Sequence, residues 1–125
     1  MNNTNALYVA LRSIDVFRAE CRADIGAQTI SCFLHISVLA EIPMLDLIEK
    51  LGVSGAAVSR NITLLGKGIP ARNGKPAKPG LNLVESQEDE KYRRRKIVRL
   101  TAKGRELAAK VIEEIESTKP VAQAA

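Results

Sequence analysis

Aromatic rings are scarce in this sequence: Phe, Tyr and Trp make up 3% of its 125 residues, and Trp is absent. Leu, Ile, Val and Ala must therefore fill any core. The stacking platforms that hold single-stranded bases are correspondingly few. There is one histidine, His35, and there are two cysteines, Cys21 and Cys32. Their spacing fits no metal motif, so no metal site and no cofactor are expected. The thiols are expected to be buried and reduced, with a redox switch as the alternative. His35, inside an apolar segment, is expected to be a core histidine bonded to backbone or a neighbour. No nucleophile has an evident base and no Gly-rich phosphate loop occurs, which argues against an enzyme. No apolar run approaches the roughly 20 residues of a membrane span. The start, "MNNTNALYVALRS", lacks the basic region and unbroken apolar run of a secretory signal. A cytoplasmic protein with no membrane partner is the expectation.

What is present is a chain of one-domain length with 46% hydrophobic residues, enough for a packed core. The net charge is +5 and is unevenly spread. Residues 1–66 are net −1, residues 67–105 net +8 and residues 106–125 net −2. A basic block between nearly neutral flanks is the footprint of a polyanion partner.

Apolar residues recur at helical spacing over 6–22, with Leu7, Leu11, Ile14 and Phe17 on one side. "QTISCFLHISVLA", 28–40, is apolar on most of its circumference and predicts a central buried helix. Pro43 suits a first helical position before "MLDLIEKL", 44–51. Gly52 then suits a left-handed cap, and Ser54 an N-cap for a helix over about 55–67. Two helices joined by "GVS" predict a helix-turn-helix across 43–67. Residues 66–80, with four Gly and three Pro, read as a loop. "LNLVES", 81–86, and "RKIVRL", 95–100, read as two strands of a wing spanning 80–100, whose acidic "EDE" balances charge at the tip. Thr101 opens a last helix to 117, where Glu106 and Lys110 are placed to pair. The predicted fold is mainly α with a small β wing, α-α-α-α-β-β-α, in a single winged helix-turn-helix domain.

The small residues Ser54, Gly55 and Ala56 let the start of the 55–67 helix approach a surface closely, and its dipole favours phosphate there. Ser59, Arg60, Asn61 and Thr63 follow and are expected to project outward. These are side-chain types that read base edges or bind phosphate in a major groove.

The stretch 28–117 resembles the MarR family of transcriptional regulators. The pieces "LIEKLGVSGAAVSRNITLL", "GLNLVES" and "RRRKIVRLTAKGRELA" carry the resemblance, with Arg94, Ile97, Val98, Leu100, Thr101 and Gly104 matching the wing and the "LT..G" ending in order. Three features depart from the pattern. Ile48 replaces the alanine usual at the helix crossing, Tyr92 replaces the wing Asp, and residues 68–79 are an insertion. The resemblance implies a homodimeric, sequence-specific regulator of double-stranded DNA, acting as a repressor on a palindromic site.

The DNA-binding set is then Ser54, Gly55, Ala56, Ser59, Arg60, Asn61, Thr63 and Lys67 with Arg93, Arg94 and Arg95 of the wing. Arg94 would enter the minor groove, and Arg93 and Arg95 would meet phosphate or solvent. Leu7, Leu11 and Ile14, with Val111, Ile112 and Ile115, would form the dimer seam. A small-molecule effector, of unknown identity, is a further partner that the resemblance implies. Two other readings stand beside this one: a winged helix that binds a protein of the transcription or replication machinery, and an architectural protein binding DNA with little sequence preference.

Overall fold

The structure, a computed structural model, describes residues 3–91 and 95–117. Among these described residues five helices form: α1 (Asn3–Glu20), α2 (Ala27–Leu39), α3 (Met44–Leu51), α4 (Gly55–Leu65) and α5 (Ala102–Ser117). Five strands lie among them: β1 (Glu41–Pro43), β2 (Gly68–Ile69), β3 (Lys78–Pro79), β4 (Val84–Glu88) and β5 (Lys96–Leu100). β1, β5 and β4 make an antiparallel sheet in that order, with Ile42 opposite Val98 and Val84 opposite Leu100. β2 and β3 pair separately.

The local signals explain the helix-turn-helix. Gly52 closes α3 in the left-handed region (φ 66°), and its N–H donates to the Ile48 carbonyl. Ser54 caps α4, its side chain accepting from the Ala57 N–H at 3.1 Å. Leu47, Val58, Ile62 and Leu65 then turn inward and join Phe33, Ile36, Val84 and Val98 in one core. Burying a side chain of this size contributes on the order of 1.5–3 kcal/mol. Phe17 of α1 meets Phe33 of α2 edge to face, with ring centroids 5.6 Å apart. Gly55 lies opposite Ile48, where an added Cβ would touch Ile48 Cδ1 at 3.5 Å. That is an ordinary contact distance, so the two helices cross with Ile48 seated against a small residue and with space for one more methyl group.

The "LT..G" ending is built for one junction. The Thr101 hydroxyl donates to the Asn82 carbonyl (2.6 Å), while its oxygen accepts from the Gly104 N–H (3.1 Å) and caps α5. A Cβ on Gly104 would lie 2.0 Å from the Leu83 carbonyl oxygen, so only glycine fits where α5 starts against the approach to β4.

Several expectations are corrected. Pro43 is not a first helical residue; it ends β1, a strand not anticipated, and caps α3. The 66–80 loop contains the β2–β3 hairpin. The first wing strand starts at Val84 rather than 81, because Asn82 takes a left-handed turn (φ 57°) just before it. α2 is covered on one side only: Cys32, Phe33 and Ile36 are buried, but Val38 is 81% exposed. His35 is half-buried at the edge of an apolar groove rather than in the core. Cys32 is buried and its thiol is pushed up to about 11 by desolvation, whereas Cys21 is only half-buried. Lys110 pairs with Glu20 of α1 (3.1 Å), not with Glu106. That pair ties α5 to α1, as does Arg12 with Glu114.

Candidate nucleic-acid interface

The outward edge of α4 carries most of the residues singled out in its sequence. Ser54, Gly55 and Ala56 are exposed at its start, and Ser59 and Arg60 are exposed one turn on. Ala56, Ser59, Arg60 and Thr63 share a face by their spacing of three and four. Thr63 is half-buried, and its hydroxyl donates to the Ser59 carbonyl (2.9 Å). The first N–H groups of the helix point out of this end without intrahelical acceptors, and Ser54 takes up the one from Ala57. Small side chains, free donors and one extended cation are therefore gathered on one ridge of α4.

Asn61 does not belong to that ridge. It is 8% exposed and turned inward. Its Oδ1 accepts from the Thr29 hydroxyl (2.7 Å), and its Nδ2 donates to Gln28 Oε1 (2.8 Å) and to the Ala57 carbonyl (3.1 Å). Three hydrogen bonds hold it between α4 and the start of α2, so it fixes the position of α4 and is not available to a base. The correction has a simple cause: Asn61 lies three residues after Val58 and four before Leu65, inside the arc that faces the core.

Arg60, Ser59 and Thr63 line a cleft of about 870 Å³ together with Arg72 and Lys78 of the β2–β3 segment and Arg22 after α1. The inserted segment, expected as a loop, is a hairpin here. The Asn73-Gly74 pair was the available hairpin signal, since both residues tolerate positive φ. Lys67 is exposed just past α4. On the wing, Arg95 is exposed and lies 4.0 Å from Asp46 of α3. Arg99 is paired with Glu85 (2.9 Å) and donates a further hydrogen bond to Gln87 Oε1 (2.8 Å). Arg93 and Arg94, expected at the wing, lie outside the described residues, as does Tyr92.

The expected dimer seam is partly rearranged. Leu7, Leu11 and Ile14 of α1 and Ile112 and Ile115 of α5 are exposed apolar residues. Val111 is not: it is 6% exposed and packs in the chain's own core with Leu107. A separate apolar groove of about 520 Å³ runs beside α2, lined by Ile14, Ile30, Leu34, His35, Val38 and Leu39 among others. Among the described residues no cluster of His, Cys, Asp or Glu could hold a metal ion, and no helix is long and apolar enough to cross a membrane.

No family model matches the sequence, and no curated protein matches it. Solved structures do match. RV1404 from Mycobacterium tuberculosis superposes with a TM-score of 0.67 at 19% identity, over 91% of this chain and 68% of that one. A mutant MarR from E. coli complexed with operator DNA superposes with a TM-score of 0.56 at 20% identity, over 88% and 70%. The PcaV transcriptional regulator from Streptomyces coelicolor, in complex with its natural ligand, gives 0.58 at 12% identity, over 90% and 71%. Five helices among the described residues, a helix-turn-helix whose second helix offers a polar ridge, and a small antiparallel wing thus give this chain the MarR-like winged-helix fold.

Proposed function

We propose that this protein is a homodimeric, sequence-specific regulator that binds double-stranded DNA. One observation carries the reading: Ser54, Gly55, Ala56, Ser59 and Arg60 stand exposed along one edge of α4, next to the basic 67–105 region, in a fold shared with a MarR solved on operator DNA. α4 lies in the major groove, with its N-terminal turn against phosphate and Arg60 directed at base edges. Lys67 and Arg95 add phosphate contacts on either side. Arg93 and Arg94 are proposed as further wing contacts from the sequence motif. Asn61 has no base contact in this reading.

The dimer is proposed to form through Leu7, Leu11, Ile14, Ile112 and Ile115. These five exposed apolar side chains lie on two helices joined by the Arg12–Glu114 and Lys110–Glu20 pairs. A two-fold dimer presents two copies of α4 and so favours a palindrome with half-sites about one helical turn apart. Binding over a promoter blocks polymerase, which makes repression the proposed outcome. The apolar groove beside α2 is the proposed place for a small effector, by analogy with PcaV, which is solved with its natural ligand.

Selection of bound duplexes from a random library tests the reading. A recovered palindrome is the expected result. Recovery of no preferred sequence with retained, strongly salt-dependent binding would assign the protein to low-specificity architectural binding instead.

A further inference from the structure

The segment from Gly66 to Gly80 carries Lys67, Arg72, Lys75 and Lys78 and no acidic residue. It is an ordered arm. Arg72 and Lys75 exchange both backbone hydrogen bonds, at 3.1 and 2.9 Å, around Asn73 (φ 51°) and Gly74 (φ 76°). Two left-handed residues in succession are the signature of a type I′ turn. The base of the arm is tied to the end of α4: the Leu81 and Asn82 N–H groups donate to the Leu64 and Gly66 carbonyls, each at 2.9 Å. The chains cross there so closely that a Cβ on Gly80 would lie 2.1 Å from the Gly66 oxygen. Pro70 and Pro76 flank the turn and restrict the arm further, lowering the entropy lost on binding.

The arm is therefore held beside α4, and Arg72 and Lys78 line the same cleft as Ser59 and Arg60. The ion pairs among the described residues lie elsewhere and leave the arm's cations without a carboxylate. From Ile69 to the turn is four residue steps, about 13 Å at the rise of a strand. That reach is comparable with the roughly 12 Å width of the major groove.

We propose that the β2–β3 hairpin is a second wing, which grips the phosphate backbone beside the groove that α4 occupies. The proposal rests on the DNA-binding reading above and adds a contact that the helix-turn-helix and the β4–β5 wing do not supply. Phosphate contacts set register and affinity without reading sequence. The second wing therefore strengthens binding to selected and random duplexes alike.

The test compares the full chain with the triple variant Arg72→Ala, Lys75→Ala, Lys78→Ala by fluorescence anisotropy, on a random-sequence duplex, across a salt series. All three side chains are exposed, so circular dichroism and melting should match the parent. Each lost phosphate contact lowers the slope of log affinity against log salt by about 0.9, so the expected fall is between about two and three. The single variant Arg72→Lys should keep the parent slope, because it keeps the charge; a loss there would assign the arm's role to shape and overturn the phosphate contact. Binding by the parent with an unchanged slope in the triple variant overturns this proposal alone, and an acidic protein surface becomes the arm's partner. Failure of the parent to bind any duplex overturns the DNA-binding reading and this proposal together.

Discussion

Replacing Asn61 with Ala separates folding from recognition. The change removes three hydrogen bonds, to Thr29, Gln28 and Ala57. Each is worth about 1 kcal/mol net. It also strands the buried Thr29 hydroxyl, 6% exposed, which adds a desolvation cost of about 1–3 kcal/mol. Better helix propensity of Ala returns about half a kcal/mol. The sum is a destabilisation of about 3.5–5.5 kcal/mol, or a melting temperature lower by about 14–22 °C for a domain of this size. Arg60→Ala has the opposite profile. Its side chain is exposed, so stability stays within about 0.5 kcal/mol, while specific DNA affinity falls by about 1–3 kcal/mol. Urea unfolding gives the first quantity, and anisotropy on a selected duplex gives the second, at a temperature where both variants are folded. Combining Thr29→Val with Asn61→Leu should recover much of the loss, because both polar partners are then removed together. If Asn61→Ala left stability intact and lowered DNA affinity, Asn61 would be a reading residue and the orientation of α4 described above would be wrong.

Three further outcomes follow from the structure. Leu11→Asp, at a side chain 53% exposed, should leave the protomer folded but yield monomers in sedimentation and weaken binding to a palindrome; an unaltered dimer would move the seam off α1. Gly104→Ala must displace the Leu83 carbonyl and should destabilise the chain by about 1–3 kcal/mol or more in urea unfolding, and a neutral result would contradict the close approach of α5 to that carbonyl. The Cys32 thiol is shifted from 9.0 to about 11, so the folded state holds its proton more tightly than the unfolded state. Its contribution is intact below about pH 9 and is lost as pH rises to about 11, by on the order of 2 kcal/mol. Unfolding measured across that range should show the decline, and it should flatten in Cys32→Ala.

Local chemistry made much of this molecule legible. Gly52 and Ser54 marked the turn and the cap, and the bounds of α3 followed from one amphipathic stretch ended by glycine. Thr101 and Gly104 were recognisable as a motif before their roles, a cap and a close approach, had a physical reason. The misplacements came where residue type was read without angular position. Asn61 has the chemistry of a base reader but sits in the buried arc of α4. Val111 has the chemistry of a dimer seam but points with Leu107 into the core, while Ile112 and Ile115 point away. β1 was invisible for another reason. Three residues cannot show alternation, and the strand exists through pairing with β5, far along the chain. The same distance hid the partner of Lys110, since Glu20 belongs to a helix almost at the other end of the sequence.

The most direct test of the account is a ¹⁵N-resolved NMR titration of the full chain with the duplex recovered by selection. The largest amide shifts are expected at Gly55, Ala56, Ser59 and Arg60, with a second group at Arg72 and Lys75. Leu107 and Val111 in the core should hardly move. Shifts centred instead on Leu34, Val38 and Leu39, with α4 unperturbed, would contradict the claim that the exposed edge of α4 is the surface that meets DNA.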